Sequence, residues 1–172
     1  AAHIEVKSGS IGRPLFHVQA RIVDERDCDV PVGEVGELIV RGPNVFAGYW
    51  GLPEATAEAF RGGWFHTGDL GRTDDEGFMT LVDRKKDMII TGGENVYPIE
   101  VEQVLCRHPA IQEVAVVGVP HEKWGETPIA VVVLHDGARA TGDELIGYAR
   151  ERLAHFKCPT RVEYLAALPR NA

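Results

Sequence analysis

The chain has 172 residues, 44% of them hydrophobic and 26% charged, a composition that supports a packed core. Its formal charge of −8 argues against a broad surface tracking nucleic-acid phosphates, although a few cations or backbone N–H groups can still hold a small anion. The three cysteines, Cys28, Cys106 and Cys158, are widely spaced and form no Cys-x-x-Cys pair; they read as reduced thiols buried as small hydrophobes.

In "LFHVQARIV" (15–23), Phe16, Val18, Ala20 and Ile22 alternate with their neighbours and predict a half-buried strand. "VPVGEVGELIVRG" adds a glycine-bearing turn and a second strand. "PEATAEAF" (53–60) predicts a short helix that opens on a proline. "GGWFHTGDLG" and "DDEGFMTLVDR" read as a strand, a turn and a further strand. The first half is therefore mostly β.

The pattern changes near Lys86, inside the charge run "DRKKD". A boundary of charges without a Gly/Ser tract predicts an articulated joint. Beyond it, "PIEVEQVLCRH" (98–108) places Val101, Val104, Leu105 and His108 at helical spacing. "IQEVAVVGVP" and "TPIAVVVLHDG" are apolar strands on either side of the polar "HEKWGE". Thr141-x-x-Glu144 is a capping-box pattern, opening a helix that turns Ile146, Ala149 and Leu153 inward. "TRVEYLAAL" supplies a last short strand. The expected class is α+β, with helices packed on a mixed sheet in the second half. The apolar runs 114–119 and 129–134 are too short to cross a bilayer, and "AAHIEVKSGS" has no signal-peptide core, so a cytoplasmic location is expected.

Several residues have chemistry beyond packing. Asp69, in the Gly-flanked "HTGDLG", could accept two hydrogen bonds from a vicinal diol, or could serve an ordinary turn. Arg84 suits a ribose hydroxyl or phosphate oxygen, or simply belongs to a solvated charge run. "TGGEN" (91–95) is a hairpin turn, or a place where missing Cβ atoms let a narrow ligand pass. It has neither the dinucleotide-fold glycine spacing nor a P-loop Gly-Lys-Ser/Thr. Trp124 and Phe156 cap a core or offer a platform to a purine. His17, His66, His108, His121 and His155 lack metal-ligand spacing and read as structural or surface groups, so no metal site is expected.

The order of these motifs carries more than any one of them. The series "GYW…PEAT…GWFHTGDLG…DEGF…VDRKKDMIITGGENVYPIEVE…HPAIQEVAVVGVPHEKWGE…RLAHFKCPTRVEYLAALPRNA" closely resembles the C-terminal third of acyl-CoA synthetases of the acyl-adenylate-forming superfamily. The resemblance implies that residues 1–85 are the β-rich end of the large AMP-binding domain. Residues 86–172 would be the mobile α+β cap domain. Such enzymes join a carboxylic acid to ATP, releasing pyrophosphate, and pass the acyl group from AMP to the thiol of CoA as the cap rotates between half-reactions.

By motif match, Asp69 and Arg84 would contact the ribose of ATP and AMP, and Lys86 would be the hinge. Gly93 would border the path of the CoA arm, and Glu94, Trp124, Phe156 and Lys157 would lie near CoA. Cys158 stands where some relatives have arginine. The family's catalytic lysine would lie beyond Ala172, and its Mg²⁺-holding glutamate ahead of residue 1. The expectation is therefore no catalytic or metal-binding residue here and no activity from this chain alone. ATP with Mg²⁺ and CoA are the expected cofactor and co-substrate. The expected partners are a carboxylic acid and the N-terminal part of the same protein, without nucleic acid or a transmembrane segment. A fatty acid is the first expectation for the acid, and lipid metabolism the setting. An aryl-acid–CoA ligase and a carrier-protein-loading adenylation domain are alternatives, although the latter usually has Gly-x-Arg-Ile-Glu where this chain has "GGENVYP". A non-catalytic interaction domain with the cap fold is the non-enzyme alternative.

Overall fold

β-branched residues alternating with polar ones build the first half into an antiparallel sheet. In the computed structural model, which describes residue 7 and residues 9–169, β1 (Gln19–Val23), β2 (Gly36–Arg41), β3 (Phe65–Thr73) and β4 (Met79–Arg84) pair in that order. Ala172, beyond which the catalytic lysine is expected, lies outside the described residues. Ile22, Leu38 and Met79 are buried together, with Ala20, Val30 and Val40 packed against them. Helix α1 (Pro53–Ala59) starts on its proline as expected, where a missing N–H costs nothing. The strand expected at 15–23 begins only at Gln19. Ahead of it, the Val18 N–H closes a turn on the Leu15 carbonyl and His17 adopts φ +71°, so the chain leaves the extended conformation. Phe16 is accordingly 89% exposed despite fitting the alternation. The turn expected within "HTGDLG" is instead an irregular part of β3.

The chain divides into two compact units, the first ending at Lys86 and the second beginning at Asp87. The second contains β5 (Ile89–Thr91), β6 (Glu94–Val96), α2 (Pro98–Leu105), β7 (Ile111–His121), β8 (Gly125–Leu134), α3 (Gly142–Arg150) and β9 (Val162–Tyr164). Its sheet runs β6-β5-β8-β7, with β9 parallel to β8 and the other pairs antiparallel. Val101 and Leu105 of α2 and Leu145 and Ala149 of α3 are fully buried in a core shared with Ile89, Val116 and Val132 of the sheet. Leu145, absent from the expected inward face, is more deeply buried than Ile146. Helix α2 stops at Leu105, short of His108, whose ring instead meets Tyr148 edge-on at 5.0 Å. The thiols also divide otherwise than expected: Cys158 is buried in the core, whereas Cys28 and Cys106 are exposed.

Helix α3 depends on a local device. The Glu144 N–H donates to Thr141 Oγ1 at 3.3 Å, and the Thr141 N–H donates to Glu144 Oε2 at 2.7 Å, so two otherwise orphaned donors are satisfied. Among the described residues no helix is long and apolar enough to cross a membrane. Thr141→Ala removes one arm of the box and is expected to destabilise the second unit by about 1 kcal/mol. Hydrogen exchange of the protected β8 amides measures this loss, with Asp143→Ala as the comparison that leaves the box intact.

Candidate functional site

Two concave features collect the chemistry-bearing side chains, one within each unit. In the first unit, Glu37 of β2 pairs with Leu70 and Ile39 pairs with His66, so Thr67, Gly68 and Asp69 of β3 stand opposite Leu38 alone. The excess residues bulge out of the ladder. Thr67 Oγ1 donates to the Leu38 carbonyl at 2.7 Å and accepts the Asp69 N–H at 3.0 Å, which fixes the bulge from inside. Gly68 takes φ +73° there, a left-handed conformation costly for other residues.

The bulge brings Asp69 opposite Arg84 of β4, with Arg84 Nε 3.7 Å from Asp69 Oδ1. A loose, partly exposed ion pair of this kind contributes little stability, so both groups keep hydrogen-bonding capacity for a ligand. They line an open groove of about 570 Å³ with Thr67, Gly68, Lys85 and Lys86. The groove thus gathers three residues singled out from sequence: Asp69, Arg84 and Lys86. Its carboxylate and cations suit a diol next to a phosphate. A short 3₁₀ turn, Lys85–Asp87, follows β4 and carries the two lysines.

Sequence reasoning missed Glu37, which is 5% exposed beneath this groove. Burial raises its carboxyl pKa, but the Lys85 ammonium and the His66 ring outweigh burial and hold it below the ordinary carboxylate range. The available signal was a lone carboxylate opening an apolar strand, "GELIV".

In the second unit, Gly92 and Gly93 form the two-residue turn between β5 and β6, at φ +60° and +89°. Positive φ at both central positions is the type I′ pattern, which follows the twist of the strands. Gly92 has a second duty. Its N–H donates to the Trp124 carbonyl at 2.9 Å, and a Cβ at this position would lie 2.9 Å from Trp124 Cε3. The indole, on the β7–β8 turn, therefore packs against bare backbone.

Trp124 and Phe156, 45% and 38% exposed, line a pocket of about 310 Å³ with Glu94, Arg150, His155 and the Thr91, Thr127 and Thr160 hydroxyl residues, among others. Glu94, Trp124 and Phe156 are three of the five residues expected near CoA. Lys157 is not in the lining; its ammonium pairs with Glu100 Oε2 at 2.7 Å and lies 5.8 Å from the Phe156 ring centroid. Gly93 is absent from the lining, and a Cβ there would meet nothing within 4 Å. Arg150 escaped the sequence reading because a basic residue ending a helix fits the helix dipole without any ligand. In the structure it is the pocket's guanidinium. Burial pushes the Cys158 thiol pKa up, and the Arg150 charge offsets only part of that rise. Aromatic faces beside one arginine suit a flat base linked to an anion. Gly92→Ala is expected to cost about 1–2 kcal/mol for its left-handed backbone and to shift Trp124 fluorescence by displacing the ring. Gly93→Ala, with open space around it, is expected to leave that emission unchanged.

Comparison with known proteins bears on both units. Residues 2–50 match the AMP-binding enzyme family, and residues 100–172 match the AMP-binding enzyme C-terminal domain. A feruloyl-CoA synthase from Amycolatopsis sp. is 52% identical over 168 residues, which is 98% of this chain and 34% of that protein. A 2-succinylbenzoate–CoA ligase from Geobacillus kaustophilus is 51% identical over 166 residues, 96% of this chain and 34% of that protein. The solved o-succinylbenzoate CoA synthetase of Bacillus subtilis, in complex with the acyl-adenylate intermediate OSB-AMP, is 44% identical with a TM-score of 0.90, covering 99% of this chain and 34% of that one. The same enzyme with ATP and magnesium ion superposes with a TM-score of 0.88 at 41% identity, over 99% of this chain and 35% of that one. The chain spans about a third of the length of the curated relatives it matches.

Proposed function

The chain belongs to the AMP-binding enzyme family, and on that premise we propose that it forms the C-terminal portion of an ATP-dependent acid–CoA ligase. The acid's carboxylate attacks the α-phosphorus of ATP, expelling pyrophosphate and leaving an acyl-adenylate. The CoA thiolate then attacks the acyl carbonyl and expels AMP. Asp69 accepts hydrogen bonds from the nucleotide's ribose hydroxyls, Arg84 donates to the same end, and Lys86 is the pivot between half-reactions. Trp124 and Phe156 stack on the adenine of CoA, Glu94 accepts from its amino group, and Arg150 meets its phosphate. Gly93 leaves a passage for the slender pantetheine arm. The residues of this chain named here bind and position the substrates. Mg²⁺ is expected to accompany ATP. Among the described residues no cluster of three His, Cys, Asp or Glu side chains could hold a metal ion, so no step is assigned to it within this chain.

The observation that carries the reading is the convergence of Glu94, Trp124 and Phe156, distant in sequence, on one pocket with an arginine. The relatives named above support an aromatic acid as substrate, since their names specify feruloyl and 2-succinylbenzoate groups. The fatty acid expected from the resemblance has no counterpart among those names, and an aromatic acid is the proposed substrate.

Release of AMP by the full-length ligase, measured against panels of aromatic and fatty acids, tests the substrate. Aromatic acids are expected to give the higher kcat/KM with free CoA as acceptor, and preference for fatty acids would overturn that part of the reading. Lys86→Ala is expected to slow thioester formation while ATP–pyrophosphate exchange continues. Equal rates in both half-reactions would remove Lys86 from the pivot.

A further inference from the structure

We propose that Glu37 is a positioning residue that holds the two walls of the first unit's groove in register. This inference rests on reading that groove as the nucleotide site. Glu37 sits at the start of β2, and each of its oxygens serves a different wall. Oε1 accepts the Gly68 N–H at 3.3 Å, inside the bulge that presents Asp69. Oε2 accepts from Lys85 Nζ at 3.0 Å, on the turn that follows Arg84. Arg61 Nη2 reaches the same Oε2 at 3.4 Å, and His66 Nδ1 lies 3.3 Å from it. Asp27 completes the surroundings, with Oδ1 3.5 Å from Arg61 Nη2 and 3.8 Å from His66 Nε2.

A carboxylate this deeply buried is costly unless its charge is paired and its lone pairs are used. Its partners are therefore not free to drift. If the Gly68 strand or the Lys85 turn moved away, Glu37 would lose a hydrogen bond it cannot replace from solvent. An apolar side chain of similar volume would fill the space and serve the core. It would not tie the Gly68 amide to the Lys85 ammonium. The carboxylate thus links local geometry to Asp69 and Arg84 without touching the ligand.

The test is ATP–pyrophosphate exchange by the full-length ligase. Glu37→Gln keeps the volume and an acceptor for Gly68 but loses the charge that holds Lys85. It is expected to raise KM for ATP about tenfold, the equivalent of one charged hydrogen bond, with KM for the acid unchanged. Glu37→Asp, one methylene shorter, cannot span both walls and is expected to raise KM for ATP likewise; it serves alone if the glutamine variant does not fold. Lys85→Met is expected to match Glu37→Gln, and the double variant to be no worse than either single one. Unchanged KM for ATP in the folded Glu37 variants, or additive effects in the double variant, overturns the proposal. Asp69→Ala separates the two levels. If it leaves KM for ATP unchanged, the nucleotide reading of the groove fails; if it raises KM while the Glu37 variants do not, only the positioning role fails.

Discussion

An ionised carboxylate shielded from water must find its partners within the fold, and Glu37 finds them on three different segments of the first unit. Arg61 comes from the turn after α1, His66 from β3 and Lys85 from the turn after β4. Apolar side chains of that unit, among them Ile22, Val23, Leu38, Ile39, Leu70 and Met79, are buried as well. Pairing around Glu37 adds direction that apolar contacts lack. One of the Glu37 oxygens accepts the Gly68 N–H, inside the bulge that Thr67 fixes, and the other accepts from Lys85, one residue before the end of the unit at Lys86.

The second unit solves a different problem with different physics. Its core is apolar, and α2 and α3 each contribute two fully buried residues to it. Specific geometry is needed only at the rim, where Gly92 lets the Trp124 ring lie on the backbone. Each concave feature is built wholly from residues of its own unit: Thr67 to Lys86 in the first, Thr91 to Thr160 in the second. A groove of charges and a pocket of rings suit two parts of chemistry that differ in kind. The first suits a diol and phosphates, and the second a flat base beside an anion.

Local signals were the legible part of the sequence. Pro53 and Pro98 open helices, and Thr141 with Glu144 caps one, because these effects depend on neighbours within a turn. The α+β class was readable from the periodicities and order of the segments. Features set by long-range register were not. The bulge at Thr67–Asp69 exists only against Leu38 of another strand, so "HTGDLG" read as a turn. Phe16 and Val18 fitted a strand pattern that the turn at His17 interrupts. Asp69, Arg84, Glu94, Trp124 and Phe156 were named through the order of motifs, since each alone was as well explained by packing or turns. Glu37 and Arg150 had ordinary local explanations, a strand-end charge and a helix-end cation. Only tertiary structure gives them neighbours that matter.

On the proposed reading, the second unit's aromatic pocket serves the second substrate and has no part in handling ATP. Trp124→Ala in the full-length ligase tests it most directly, with the two half-reactions measured separately. KM for CoA is expected to rise about tenfold, as for loss of one base-stacking face, while ATP–pyrophosphate exchange keeps its rate and its KM for ATP. A fall in exchange with KM for CoA unchanged would contradict it.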